Sequence, residues 1–342
     1  MNIRSQWRWT GLFFLGTLLS VGAFVPQSGF AVDAKSVSSA LEEEVTDQEL
    51  RNIWLSGLYS MELGQTDAAE RKFAFVVVRK PHWLARAFEN RAIVYEKMGH
   101  NDLAKKDADI ALGLYNRDVK ENPASTDPLL KRAEYWERKG NPEARINDLS
   151  KAIALAPDNV NLLKERANAW NSLQRPEQAL VDLGRLIKLR PEEPEPLLAR
   201  ADLLRKLNKN TPAIADYNRA IALNPDMVKA YANRGDLYLQ MGQNDQALAD
   251  FDRAARIDPD SAPIHFNRGV ILQTKEQLQP ALAAFDKAVA LMPDQVEYRL
   301  RRGVVFSKLG KPREALADFD KILALQPGHA LATMYRQQIS TQ

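Results

Sequence analysis

The chain has 342 residues, a formal charge of +3 and no cysteine. That composition excludes disulfides, lipoprotein attachment, thiolate metal sites and thiol nucleophiles. Acidic and basic residues alternate without a basic block, so nucleic acid is not expected as a partner.

Residues 1–34 differ from the rest. Arg4 and Arg8 precede an uncharged apolar run, residues 10–25, which Pro26 ends. Small residues follow at Gly29 and Ala31, with Ala31 and Ala34 as a second option for cleavage. This is the pattern of a secretory signal peptide. The run is short for a membrane span, which needs roughly 20 apolar residues. Residues 1–34 are therefore read as a signal peptide or as an uncleaved N-terminal anchor, the one route to a membrane seen in the sequence. Residues 35–49 are polar and read as a flexible lead-in. The absence of cysteine and of Asn-x-Ser/Thr acceptors points an exported chain to the bacterial periplasm, with inner-membrane anchoring if the leader is retained.

From residue 50 onward a period governs the chain. Pro123, Pro157, Pro191, Pro225, Pro259, Pro293 and Pro327 recur at one constant step. A fixed step of this length signals one supersecondary unit stacked on itself. A small residue keeps the same step at Ala133, Ala167, Ala201, Gly235, Gly269 and Gly303, and an arginine precedes each. A second small residue recurs at Ala179, Ala213, Ala247, Ala281 and Ala315, followed by the bulky Leu183, Tyr217, Phe251, Phe285 and Phe319. Within one unit, Tyr231, Gly235 and Tyr238 form one helical face, and Ala247, Phe251 and Ala254 another. The stretch from Met241 to Asp245 is the turn. The recurrent proline ends the second helix. Pro142, Pro176 and Pro312 are placed at the start of second helices, with Asn141 as a cap.

At Tyr231-Ala-Asn-Arg-Gly-Asp-Leu-Tyr, followed by Ala247, Phe251, Ala254 and Pro259, the chain resembles the tetratricopeptide-repeat family. The pattern recurs in phase from Thr126 to Gly328. Two earlier units are read at Asn90, Arg91, Ala92, Tyr95, Gly99 and Ala104, and at Gly57, Gly64, Ala69, Phe73 and Pro81. The resemblance implies an all-α, right-handed superhelical solenoid of antiparallel helix pairs. About eight repeats are expected: an N-terminal pair over 50–122, six regular units over 123–328, and a capping helix over 329–342. Residues 112–119 are read as a lengthened helix and the best candidate for a joint. Arg145 replaces a small residue and is expected to splay its helix pair. Ala108 replaces a bulky one.

No catalytic constellation is found, and no cofactor is expected. His82, His100, His265 and His329 are scattered and share no metal-binding spacing. No phosphate loop or nucleophile elbow occurs. The recurrent arginines match Asp148, Asp182, Asp216, Asp250 and Asp318 in their own second helices, whereas Ala284 leaves Arg268 without that partner. The array is read as an internal, partly exposed clip between helices, worth under ~1 kcal/mol per pair, rather than a ladder for an anionic polymer.

Family geometry implies a groove lined by the first helix of each unit. One line runs Trp54, Glu89, Leu130, Lys164, Leu198, Ala232, Phe266 and Leu300. A second runs Leu58, Ile93, Glu134, Asn168, Asp202, Asp236, Val270 and Val304. Phe266, Val270, Leu300 and Val304 form an apolar patch, read either as packing against neighbouring helices or as a dock. Some family members clamp a peptide carboxylate with lysines and asparagines. Here Lys164, Asn168 and Lys229 match that set, while Ala199 and Asn233 depart from it. The expected function is a non-catalytic scaffold that binds a protein or peptide in its concave groove, in assembly of cell-envelope machinery. The alternatives are a self-assembling homo-oligomer and an accessory subunit of a glycan enzyme, the latter through Trp54, Trp136 and Trp170.

Overall fold

The computed structural model describes residues 45–79 and 83–340. The leader, most of the lead-in, Pro81 and His82 lie outside the described residues. Among those described there are 17 α-helices and no strand. They pair as α1 (Asp47–Glu62) with α2 (Thr66–Val78), α3 (Leu84–Lys97) with α4 (Asn101–Glu121), and α5 (Thr126–Arg138) with α6 (Pro142–Leu155). Then come α7 (Val160–Ser172) with α8 (Pro176–Leu189), α9 (Pro194–Lys206) with α10 (Asn210–Leu223), and α11 (Val228–Gln240) with α12 (Asn244–Ile257). The series ends with α13 (Ala262–Thr274) and α14 (Leu278–Leu291), α15 (Val296–Lys308) and α16 (Pro312–Leu325), and the single helix α17 (Ala330–Ser340). This is the expected solenoid of helix pairs with a terminal cap. The chain divides into two compact units between Leu114 and Tyr115, inside α4.

In the first unit, Thr46 and Glu49 form a reciprocal capping box that starts α1. Two hydrogen bonds from Thr46, backbone first, hold the Glu49 carboxyl below its ordinary range. Phe73 is fully buried and its ring edge lies over Gly57, where an added Cβ would meet it at 2.9 Å. Trp54 packs on Trp83, with ring centroids 5.5 Å apart. Arg91 makes a two-pronged bond to Asp107, at 2.6 and 3.0 Å. Glu89, expected in the groove, is instead fully buried and paired with Arg86 at 3.3 Å.

In the second unit the local signals act where the residue types dictate. Pro142, Pro176 and Pro312 open α6, α8 and α16. The Asn141 side chain accepts the Ala144 amide at 3.1 Å. Small and bulky residues are matched in size: Gly235 lies under Phe251, Gly269 under Phe285 and Gly303 under Phe319. Ala167 with Leu183, and Ala201 with Tyr217, share core clusters instead. The bulky residue thus fills the gap within its own helix pair.

The arginine array is internal, as expected, but more deeply set. Each of Asp148, Asp182, Asp216, Asp250 and Asp318 is buried and takes both prongs of its arginine, as in Arg166–Asp182 at 2.9 and 2.6 Å. Removing one partner of such a pair costs about 3–5 kcal/mol, well above the figure for an exposed pair. The arginines also reach back to the preceding second helix: Arg166 to Ser150 at 3.0 Å, Arg132 to Asn116 at 2.8 Å, and Arg302 to Asp286 at 3.0 Å. Arg268 follows this second rule and bonds Asp252 at 2.6 Å. It is not unpartnered, because the stacking of units offers a site that its own unit lacks. The helix pair at Arg145 is not splayed: Arg132 and Asp148 close it at 2.8 and 2.6 Å, while the largely covered Arg145 bridges Glu137 of α5, at 2.7 Å, and Glu165 of α7. In α17, Arg336 repeats the backward bond, to Asp320 at 2.5 Å, and Tyr335 stacks on Phe319 at 5.6 Å. The cap is therefore the first half of a further unit.

Candidate ligand groove

Successive first helices in the second unit lie against one another: α9 with α11, α13 with α15, and α15 with α17. Among the described residues no pair of second helices packs comparably. First helices therefore line the inner side of the curve.

A polar cluster occupies that side between α9 and α13. Tyr217 of α10 donates to Asp202 of α9 at 2.5 Å, and Asn233 of α11 donates to the same carboxylate oxygen at 2.8 Å. One unit on, Asn267 of α13 donates to Asp236 of α11 at 2.9 Å. Arg205 of α9 lies in the field of both Tyr217 and Asp236 but makes no ion pair among the described residues, and its Nε is buried without a hydrogen-bond partner. Burial, before any other cause, pushes the Asp236 carboxyl above its ordinary range, opposed by Arg205 and by the Asn267 bond. Burial also raises the Tyr217 phenol, and its bond to Asp202 raises it further. Asp202 and Asp236 stand on the groove line by count, but counting along the helices does not find their partners. The missed signal was an Asn placed just ahead of the next groove-line position, at Asn233 before Asp236 and at Asn267 before Val270.

The expected site residues divide into two groups. Lys164 and Asn168 on α7, and Lys229 on α11, are exposed and make no hydrogen bond or ion pair among the described residues. Asn233 is half-buried and already committed to Asp202, so it is not a free clamp residue. The apolar four are packing residues to differing degrees. Leu300 is buried with Ala315, Phe319, Ile322 and Ala332, and half-buried Val304 packs on that cluster. Phe266 is half-buried, stacked on Tyr298 at 4.6 Å and near Phe285 at 5.8 Å, and Val270 packs on the same core. Of the two readings of this patch, the contacts match packing against the neighbouring unit and the cap. Trp136 and Trp170 are half-buried, against Tyr135 and in the α5–α8 core respectively.

A family model described as TPR repeat matches residues 201–242 and 235–276. Human tetratricopeptide repeat protein 13 is 30% identical over 142 residues, which is 41% of this chain and 15% of that protein's length. A structure of Pseudomonas aeruginosa pilF is 16% identical, covers 64% of this chain and 98% of its own, and superposes with a TM-score of 0.52. MamA from Desulfovibrio magneticus RS-1 is 23% identical over 50% of this chain and 96% of its own, with a TM-score of 0.46. The matched repeats fall on α9–α14, where the helix pairs, the Gly–Phe contacts and the arginine clips recur in phase. Residues 201–276 thus carry tetratricopeptide repeats, and the described helix pairs on either side continue the same architecture.

Proposed function

We infer that the protein is a non-catalytic scaffold whose inner face, between α7 and α11, receives an acidic segment of a protein or peptide. One observation carries this reading. In a chain where the recurrent arginines are paired, Lys164 and Lys229 are exposed and make no ion pair among the described residues, and Arg205, which lies beside Tyr217 and Asp236, keeps a buried Nε without a partner. Exposed ammonium groups and a partly desolvated guanidinium attract carboxylates, and the nearby amide of Asn168 can fix their orientation. Protein binding is also the general role of the repeat family. The leader pattern supports a site of action outside the cytoplasm, in assembly of the cell envelope. N-terminal sequencing of the protein from cells should find a start at Val32 or Lys35, and an intact Met1 would remove the cleaved-leader reading.

The test is affinity capture from solubilised envelopes with wild type and a Lys164→Glu, Lys229→Glu double variant, both checked by circular dichroism. A partner held by wild type and released by the folded variant supports the groove. A partner held equally by both removes it. A second reading, self-association, has its own observation. Tyr59 is 62% exposed on α1, yet its counterparts Val94, Tyr135, Leu203, Leu237, Ile271 and Val305 are all buried. A concentration-independent monomer in light scattering would remove that reading.

A further inference from the structure

The arginine clip is broken at one place in the second unit, and a cavity lies there. Five sister arginines hold a buried aspartate on both prongs, but the matching position for Arg268 is Ala284. Arg268 keeps a single bond, Nε to Asp252 at 2.6 Å, and has no other hydrogen-bond partner among the described residues. A cavity of about 340 Å³ opens beside it, lined by α12, α13 and α14. Leu248, Leu272, Pro280 and Ala283 give it apolar walls, and Lys287 adds a second cation, shared loosely with Asp260 at 3.4 Å. His265 also lines it. That residue is 8% exposed, its Nε2 meets the Pro259 carbonyl at 2.9 Å, and its buried Nδ1 has no partner.

We propose that this cavity is a carboxylate-binding site, the ligand taking the place that an aspartate fills in the sister units. Asp252 occupies Nε alone, which leaves the Nη1–Nη2 edge of the guanidinium unbonded where Ala284 removes the sister carboxylate, and planar two-pronged recognition favours a carboxylate. Asp252 does not forbid a second anion. In the next unit Arg302 holds Asp318 on two prongs and Asp286 at 3.0 Å on the third nitrogen. The apolar walls suit a short methylene chain. Two sources share this chemistry: a free dicarboxylic acid, or an acidic side chain on a partner's backbone. The site lies between second helices, away from the inner groove, and stands independently of the function proposed there.

The chain itself supplies the test, because Ala284→Asp restores the missing carboxylate. Calorimetric titration of the full chain, at constant ionic strength with chloride as the reference anion, would use two probes. Succinate represents the free acid, and N-acetyl-aspartic acid α-amide represents a side chain in a peptide. Wild type is expected to bind at least one probe. Ala284→Asp is expected to weaken it about tenfold or more, since the tethered carboxylate competes at high effective concentration. Arg268→Gln is expected to abolish binding and serves as the second arm if Ala284→Asp misfolds. Preference between the probes identifies the source. Absence of binding by both probes, or equal binding by wild type and Ala284→Asp, overturns the proposal.

Discussion

Asp236 is a carboxylate placed where burial works against its charge. Its raised pKa means that the folded state binds the proton more tightly than the unfolded chain does. Its contribution to stability is therefore fully present below the unfolded value and is lost as pH rises through the folded value. Asp236→Asn removes that titration. Stability relative to the variant should improve for wild type as pH falls from neutral toward about 4, in urea unfolding followed by circular dichroism. Removal of the charge near Arg205 changes the offset between the curves, so the slope is the informative quantity; parallel curves would contradict the assignment. A second residue-scale cost lies in the turns between paired helices. Gly140, Gly242 and Gly310 adopt φ of 63°, 73° and 68°, but Gln174, Asn208 and Glu276 hold the same position at 57°. The left-handed region costs a side-chain-bearing residue about 1–2 kcal/mol. Gln174→Gly should raise the urea midpoint by an amount equivalent to about 1 kcal/mol, and a lowered midpoint would show that unfolded-state entropy dominates.

In the second unit, helix pairs are closed by two contacts of the same sequence separation: a small residue under a bulky one and, except in α13–α14, an arginine on an aspartate. The first is a size match. A Cβ on Gly269 would stand 2.6 Å from the Phe285 ring, nearer than real contacts allow. Gly269→Ala should cost about 1–3 kcal/mol by overpacking. Adding Phe285→Leu reproduces the Ala167 and Leu183 arrangement and should recover most of that loss in thermal unfolding. Additive losses would mean that the Gly–Phe contact is not the source. The arginine–aspartate contact could be read from spacing, because one helical hairpin brings the same two positions together in every unit that keeps both residues. The backward bond, which every arginine of the array but Arg200 makes, could not. It joins two units, and its partners are as different as Asn116, Ser150, Asp252 and Asp286.

Across the molecule, stacking makes every unit dependent on its neighbour for burial. α17 covers Leu300, Phe319 and Ile322 through Ala332, Tyr335 and Ile339. Truncation after Gly328 should lower the thermal midpoint and drive self-association in light scattering, since it uncovers that cluster. A monomer with an unchanged midpoint would show that the cap is dispensable. The same dependence explains the fate of the candidate groove. Leu300 and Phe266 stand at groove positions by count, but the next unit and the cap bury or stack them. Lys164, Asn168 and Lys229 remained at the surface because long or polar side chains on an outward face meet no such neighbour.

The helix pairs, their number, the turn positions and the family were all legible in the residues, because they follow from a local period and from side chains acting within one hairpin. Which groove residues stay open, which polar groups are spoken for, and where the arginine array leaves a vacancy became visible only in three dimensions. Those outcomes depend on contacts between units, where the partner's identity changes from one unit to the next. The Asp202–Asn233 bond, the backward reach of Arg268 and the cavity beside Ala284 all arise at such junctions.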